Sequence, residues 1–184
     1  MPRFAPDPSV SFRTARQSDA LCLGVLGLQI FLDTYATEGI RATLAREALS
    51  QFSTEAIGAL LQRPGTCFTV AERDGHLIGY AQLTFGATQA LVQAPEDAAQ
   101  AELDKLYVQR PFLGRGLGRA LLEEAEALSA EQGAHVMWLT AWSGNDRARR
   151  FYARQGYRDL GAAMHVFEHE AHENRVFAKV LGLQ

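Results

Sequence analysis

The chain has 184 residues, 47% of them hydrophobic and 21% charged, with a formal net charge of -3. That is an ordinary balance for a soluble globular chain with room for a sizeable core. It lacks the global basic field of a nucleic-acid binder. Its longest apolar stretch, LCLGVLGLQIFL, is too short to span a bilayer and is expected to be a buried helix, so neither a nucleic-acid nor a membrane partner is expected.

The opening MPRFAPDPSV is Pro-rich and lacks the apolar core of a secretory signal. Residues 1–10 are taken as a tail and 11–184 as one domain. SFRTAR alternates and is a candidate first strand, and Ser18 offers an N-cap with Asp19 in the first turn. A helix is expected from about Ala20 to Tyr35, and a second from Ile40 toward Phe52. Ser53 would cap a third, ending at Pro64. TCFTVAERDGHLIGYAQLTF reads as two strands around Asp74-Gly75, a strong hairpin pair. AELDKLYV is the next strand.

A Gly-rich turn, VQRPFLGRGLGR, then leads straight into a helical pattern with Leu117, Leu121, Ala125 and Leu128 on one face and Gly133 as its stop. HVMWLTAW is a strand, and Ser143 or Asn145 caps the short helix DRARRFYARQ, which stops at Gly156. Two last strands are expected at about Arg158–Phe167 and Arg175–Leu181. The order implies an α/β fold, a mixed sheet covered by helices. Cys22 and Cys67 lie far apart without metal-ligand spacing and are expected to be reduced core thiols of a cytoplasmic protein. His165, His169 and His172 are scattered, and no metal site is expected from them.

Glycines directly before a helix let backbone approach a ligand, and a helix start presents unpaired N–H groups with partial positive charge. Together they suit phosphate. A Walker A loop would need Lys-Ser/Thr after Gly118, where Arg119-Ala120 stands. A dinucleotide fingerprint would need a third glycine at Arg119 and an early strand.

LYVQRPFLGRGLGRALL instead resembles the pyrophosphate loop of the GCN5-related N-acetyltransferases, with Leu113 in place of the usual Arg or Gln. WLTAWSGNDRARRFYARQGYRDLG resembles the second motif of that family, with Asn145, Ala148, Tyr152 and Gly156 on its positions. FLDTY, ELDKLYV and FAKVL further resemble the PaiA-type branch, which acetylates spermidine and spermine. The resemblance implies a mostly antiparallel sheet flanked by helices, with acetyl-CoA as cosubstrate. It assigns coenzyme A to the strand Leu106, Tyr107 and Val108, to the loop Leu113, Gly114, Arg115, Gly116, Leu117, Gly118 and Arg119, and to Asn145, Ala148 and Tyr152. Arg110 flanks the same loop.

It also implies that Tyr152 protonates the departing thiolate; the alternative is a core tyrosine beside Phe151. Glu102 matches the position of a general base in some members, with Asp104 on the same strand face. Base, ligand for a cationic amine and exposed strand edge are all open for this pair. Asp33, Tyr35 and Trp142 are candidates for the acceptor side, and Trp138 for the core. The expected partner is a small amine, best a polyamine. A protein N-terminus, a non-catalytic acyl-CoA-binding regulator and a homodimer stay open.

Overall fold

A computed structural model describes residues 9–93, 98–167 and 170–182; the side chains of 165–167 and 170–172 are not part of that description. The elements are β1 (Val10–Thr14), α1 (Ala20–Tyr35), α2 (Ala42–Phe52), α3 (Thr54–Gln62), β2 (Thr66–Arg73), β3 (His76–Phe85) and β4 (Gln100–Val108). They continue with α4 (Leu117–Glu131), β5 (Val136–Trp142), α5 (Asp146–Arg154), β6 (Arg158–Phe167) and β7 (Glu170–Val180). The sheet has seven strands in the order β1-β2-β3-β4-β5-β7-β6, flanked by helices. Its β1–β2, β5–β7 and β6–β7 pairs are antiparallel, while β4 and β5 run parallel from Gln100↔Val136 to Glu102↔Trp138. The mixed, mostly antiparallel architecture is the one expected.

Chain contacts gather into two compact units, Met1–Gln82 with Lys105–Ala125, and Leu83–Asp104 with Glu126–Gln184. In the first, Leu23, Leu26, Phe52, Ile57, Phe68, Val70 and Tyr80 form the core. Two glycines on α1 permit it: a Cβ on Gly24 would lie 2.5 Å from the Phe52 carbonyl oxygen, and one on Gly27 would lie 2.5 Å from the Phe52 ring. One face of α1 is nevertheless open, with Leu21 and Val25 each 60% exposed and Cys22 exposed as well. The apolar run is therefore buried on one side only, and Cys22 is not a core thiol. Sixteen residues of helix turn through every direction, and only one side faces the sheet and α2–α3.

Ser18 does not cap α1. Residues Gln17–Asp19 form a 3₁₀ turn, and Asp19 takes the N-cap position. Its carboxylate accepts the Arg16 N–H at 2.7 Å and both terminal nitrogens of Arg13 at 2.7 and 3.0 Å. Arg13 also donates through Nε to Glu72 at 2.9 Å, tying β1 to β2. An ionised carboxylate answers a guanidinium fork and a backbone amide together, which a serine hydroxyl does not. At α3 the expected cap holds, with Ser53 Oγ accepting the Ala56 N–H at 3.1 Å.

In the second unit Val136, Trp138 and Ala178 form a core against Ala87, Val92 and Leu160. β7 starts at Glu170, earlier than Arg175, because antiparallel pairing with β6 from Phe167↔Glu170 onward draws the polar stretch EAHEN into the ladder. Among the described residues, no helix is long and apolar enough to cross a membrane, and no group of three or more His, Cys, Asp or Glu could hold a metal ion.

The Arg13 hydrogen bonds hold the Asp19 carboxyl below its ordinary range. A depressed folded-state value stabilises above the unfolded pKa of about 4 and is lost as pH falls through the folded one. Asp19→Asn is expected to melt at a lower temperature at neutral pH, and to lose less further stability than the parent on acidification below about pH 4. Calorimetry at neutral and acid pH measures both effects.

Candidate functional site

The Gly-rich turn opens with a 3₁₀ turn at Arg110–Phe112, with the Arg73 guanidinium 5.9 Å from the Phe112 ring centroid. Gly114 and Gly116 have φ of 76° and 80°, backbone that side chains with a Cβ rarely adopt. The hydrogen bond from Ala120 N–H to Gly116 O, 3.0 Å, starts the α4 ladder. The N–H groups of Leu117, Gly118 and Arg119 lie ahead of it, where an α-helix supplies no acceptor. Leu117 is buried and anchors the turn, while Gly114 and Arg115 are exposed and Leu113, Gly116 and Gly118 are half-buried. The turn thus brings backbone N–H groups to the positive end of a helix dipole, a setting suited to an anion. Arg110 is exposed, and Arg119 pairs through Nε with Glu123 at 2.8 Å.

The same unit holds the strand residues expected at coenzyme A and two of the acceptor candidates, Tyr35 and Asp33. Leu106, Tyr107 and Val108 are half-buried at the end of β4. Tyr107 packs its ring 5.4 Å from Tyr80 and 6.3 Å from Phe52. Phe52 in turn lies 5.4 Å from Phe31, and Phe31 lies 4.8 Å from Tyr35, which is 41% exposed. Asp33 is exposed on α1. Lys105 was not singled out above, yet its ammonium stands 5.8 Å from the Phe52 ring centroid, within this aromatic cluster. The sequence carried the signal: in ELDKLYV, period-2 alternation puts Lys105 on the face of Leu103 and Tyr107.

The second unit holds the other candidates. Ala101 and Leu103 are buried on one face of β4, which leaves half-buried Glu102 and exposed Asp104 on the other, as expected. Asp104 accepts the Thr84 hydroxyl at 2.7 Å. Trp138 is 5% exposed and donates its indole N–H to Ala87 O at 3.1 Å, a core role. Trp142 is half-buried at the end of β5. Asn145 caps α5, its Oδ1 accepting the Ala148 N–H at 3.1 Å.

That cap fixes the start of the helix carrying Tyr152. This tyrosine is buried, 8% exposed, among Phe151, Tyr157 and Phe177 at ring separations of 5.2, 5.7 and 6.2 Å. Packing alone would satisfy a core reading, but a buried phenol on a rigid, capped helix also meets the first requirement of a proton donor, a fixed position. His169 lies outside the described residues, as do the side chains of His165 and His172.

Comparison with known proteins bears on the family and the fold. Residues 31–157 match the model of the acetyltransferase (GNAT) family. An uncharacterised N-acetyltransferase of Lactobacillus delbrueckii subsp. lactis is 29% identical over 139 residues, 76% of this chain and 78% of that protein. The PaiA N-acetyltransferase of Thermoplasma acidophilum, solved in complex with coenzyme A, superposes with a TM-score of 0.71 at 20% identity, covering 94% of this chain and 99% of that one. Arabidopsis thaliana NAA60, in complex with acetyl-CoA, gives a TM-score of 0.71 at 18% identity, covering 94% and 98%.

Asn145→Ala removes the α5 cap and should cost about 0.5–2 kcal/mol of stability, whereas Asn145→Asp, which keeps an acceptor oxygen, should cost little. Urea unfolding followed by circular dichroism compares the two.

Proposed function

The chain belongs to the acetyltransferase (GNAT) family, and we propose that it transfers an acetyl group from acetyl-CoA to a primary alkyl amine, with a polyamine as acceptor. The observation that carries this reading is the amide cradle of Gly114–Arg119 at the start of α4, which matches a pyrophosphate in charge and in the close backbone approach it needs. Backbone N–H groups of Leu106–Val108 hold the pantetheine arm and polarise the thioester carbonyl. Asn145 and Ala148 complete the coenzyme A contacts, in keeping with the family motif.

The reaction is direct. A neutral amine nitrogen attacks the thioester carbon, a tetrahedral intermediate forms, and the carbon–sulfur bond breaks. Glu102, directly or through water, takes the proton that the ammonium must lose. Tyr152 gives a proton to the departing thiolate, and the proton that the adduct nitrogen loses on becoming an amide restores the phenol, directly or through water. Asp33, Asp104 and Tyr35 attract and orient the rest of a cationic acceptor, with Trp142 lining its path. A chain of several ammonium groups gains from several carboxylates, since one charge anchors while another nitrogen attacks.

Lys105 favours a second reading. A cation set in the aromatic cluster of Phe52 would repel a polyamine and welcome an acceptor that also carries a carboxylate, such as a peptide or amino acid.

Two measurements test these readings. Gly116→Asp, which sets a negative charge where the pyrophosphate would lie, should stay folded and lose acetyl-CoA binding by calorimetry. Unchanged affinity in a folded variant would remove the loop from the site. A panel of spermidine, spermine, simple monoamines and peptide N-termini, assayed for thiol release from acetyl-CoA, decides the acceptor. The polyamine reading expects spermidine to lead, with a KM that rises with salt and that Asp33→Asn raises more for spermidine than for a monoamine. Turnover of peptides alone, improved by Lys105 and lost in Lys105→Met, would establish the second reading in its place.

A further inference from the structure

We propose that Glu126 and Lys179 are positioning residues for Tyr152, acting through Tyr157. The inference rests on the reading of Tyr152 as the proton donor to the leaving thiolate.

The argument starts at the end of α5. Tyr152 stands at the third position before the cap residue Gln155, and Gly156 follows with φ of 87°. The Gly156 N–H donates to Ala153 O at 3.2 Å, and the Tyr157 N–H donates to Tyr152 O at 3.1 Å. These two bonds make a Schellman closure, which brings the residue after the glycine against the one five positions earlier. Tyr157 is therefore bound by its own backbone to the residue whose ring it contacts, edge-on at 5.7 Å and 66°. The segment YARQGY encodes that contact locally.

The far end of Tyr157 is held by distant parts of the chain. Its hydroxyl donates to Glu126 Oε1 at 3.0 Å, and Glu126 Oε2 pairs with Lys179 Nζ at 2.6 Å. The same ammonium lies 5.6 Å from the Tyr157 ring centroid. Glu126 comes from α4 and Lys179 from β7, and their side chains are 16% and 30% exposed. Tyr157 itself is 4% exposed. Burial first, and the Glu126 charge second, push its phenol far above the ordinary range, so it stays a donor at every working pH. Tyr157 is thus fixed at both ends, by an amide on Tyr152 and a hydroxyl on a carboxylate, and its ring closes one side of the space in which Tyr152 turns.

The cluster also carries no net charge beside the acid. Tyr152 becomes momentarily phenolate-like as it gives up its proton, and an unpaired carboxylate nearby would oppose that. Lys179 cancels the charge of Glu126 while leaving Oε1 available to orient Tyr157. A residue chosen for packing alone would not need a half-buried carboxylate with its own cation, because leucine would fill the volume without the desolvation cost.

The test uses the full-length protein and thiol release from acetyl-CoA with the amine that turns over fastest in the panel. Glu126→Ala is expected to lower kcat about ten-fold with KM for acetyl-CoA unchanged, since misplacing a reacting group acts on the chemical step. Glu126→Gln keeps an oxygen for Tyr157 and should recover most of that loss. Tyr157→Phe changes one oxygen, serves where Glu126→Ala folds poorly, and should lower kcat in the same way. Combined with Tyr152→Phe, neither change should reduce kcat further, because there is then no proton donor to place. Parental kcat in folded Glu126→Ala and Tyr157→Phe, with Tyr152→Phe slow, overturns the positioning role alone. An equal loss in the Tyr152→Phe background overturns it as well. Parental kcat in Tyr152→Phe itself overturns the acid reading, and the positioning role falls with it.

Discussion

Three backbone amides at the head of a helix that sinks one face into the core are the constraint on which the Gly-rich turn depends. Leu117, Gly118 and Arg119 cannot give their N–H groups to the helix they begin, so these groups need an outside acceptor. The chain manages this with left-handed backbone at Gly114 and Gly116 and with Leu117 sunk into the core as an anchor. The side chains around the turn, Arg110, Arg115 and Arg119, stay at the surface. Leu113 stands where the family motif has arginine or glutamine, and its backbone still supplies an amide, as that of any residue but proline does.

The second ingredient is rigidity around a phenol. α5 has nine residues, too few to be stable alone. It is closed at one end by Asn145 and at the other by the Gly156 turn, and its buried tyrosine is walled by Phe151, Tyr157 and Phe177. Caps and ring contacts therefore do for Tyr152 what the buried leucine does for the amide cradle. In each unit a polar group is set by apolar or hydrogen-bonded neighbours: the amides at the head of α4 by Leu117, and the Tyr152 phenol by its ring contacts and the α5 caps.

The strand β4 is chemically mixed. Glu102 and Asp104 share a face of β4, and Asp104 is already engaged by Thr84. On the opposite face of the same strand Lys105 meets the ring of Phe52. One strand thus presents carboxylates in one direction and an ammonium in the other, simply because successive side chains alternate.

By itself the sequence determined the type and most ends of the helices and strands, the Gly-rich turn ahead of α4, the Ser53 cap, a cap for α5 at Ser143 or Asn145, and the tyrosine on α5. These features depend on residues within a few positions of one another, where propensity, capping and turn chemistry act. The tertiary structure alone decided the rest. Asp19 stands at the head of α1 without a side-chain cap bond to it, its carboxylate taken up by Arg13, which also reaches Glu72, fifty-nine positions further along the chain. Cys22 came to the surface because only one side of α1 meets the core. β7 grew backward through polar residues because β6 offered backbone partners. Glu126 and Lys179 met at Tyr157 across 31 and 53 positions of chain. Each of these outcomes needed a partner that no local window contains, and a hydrogen bond or ion pair depends on distance in space, which sequence separation does not measure.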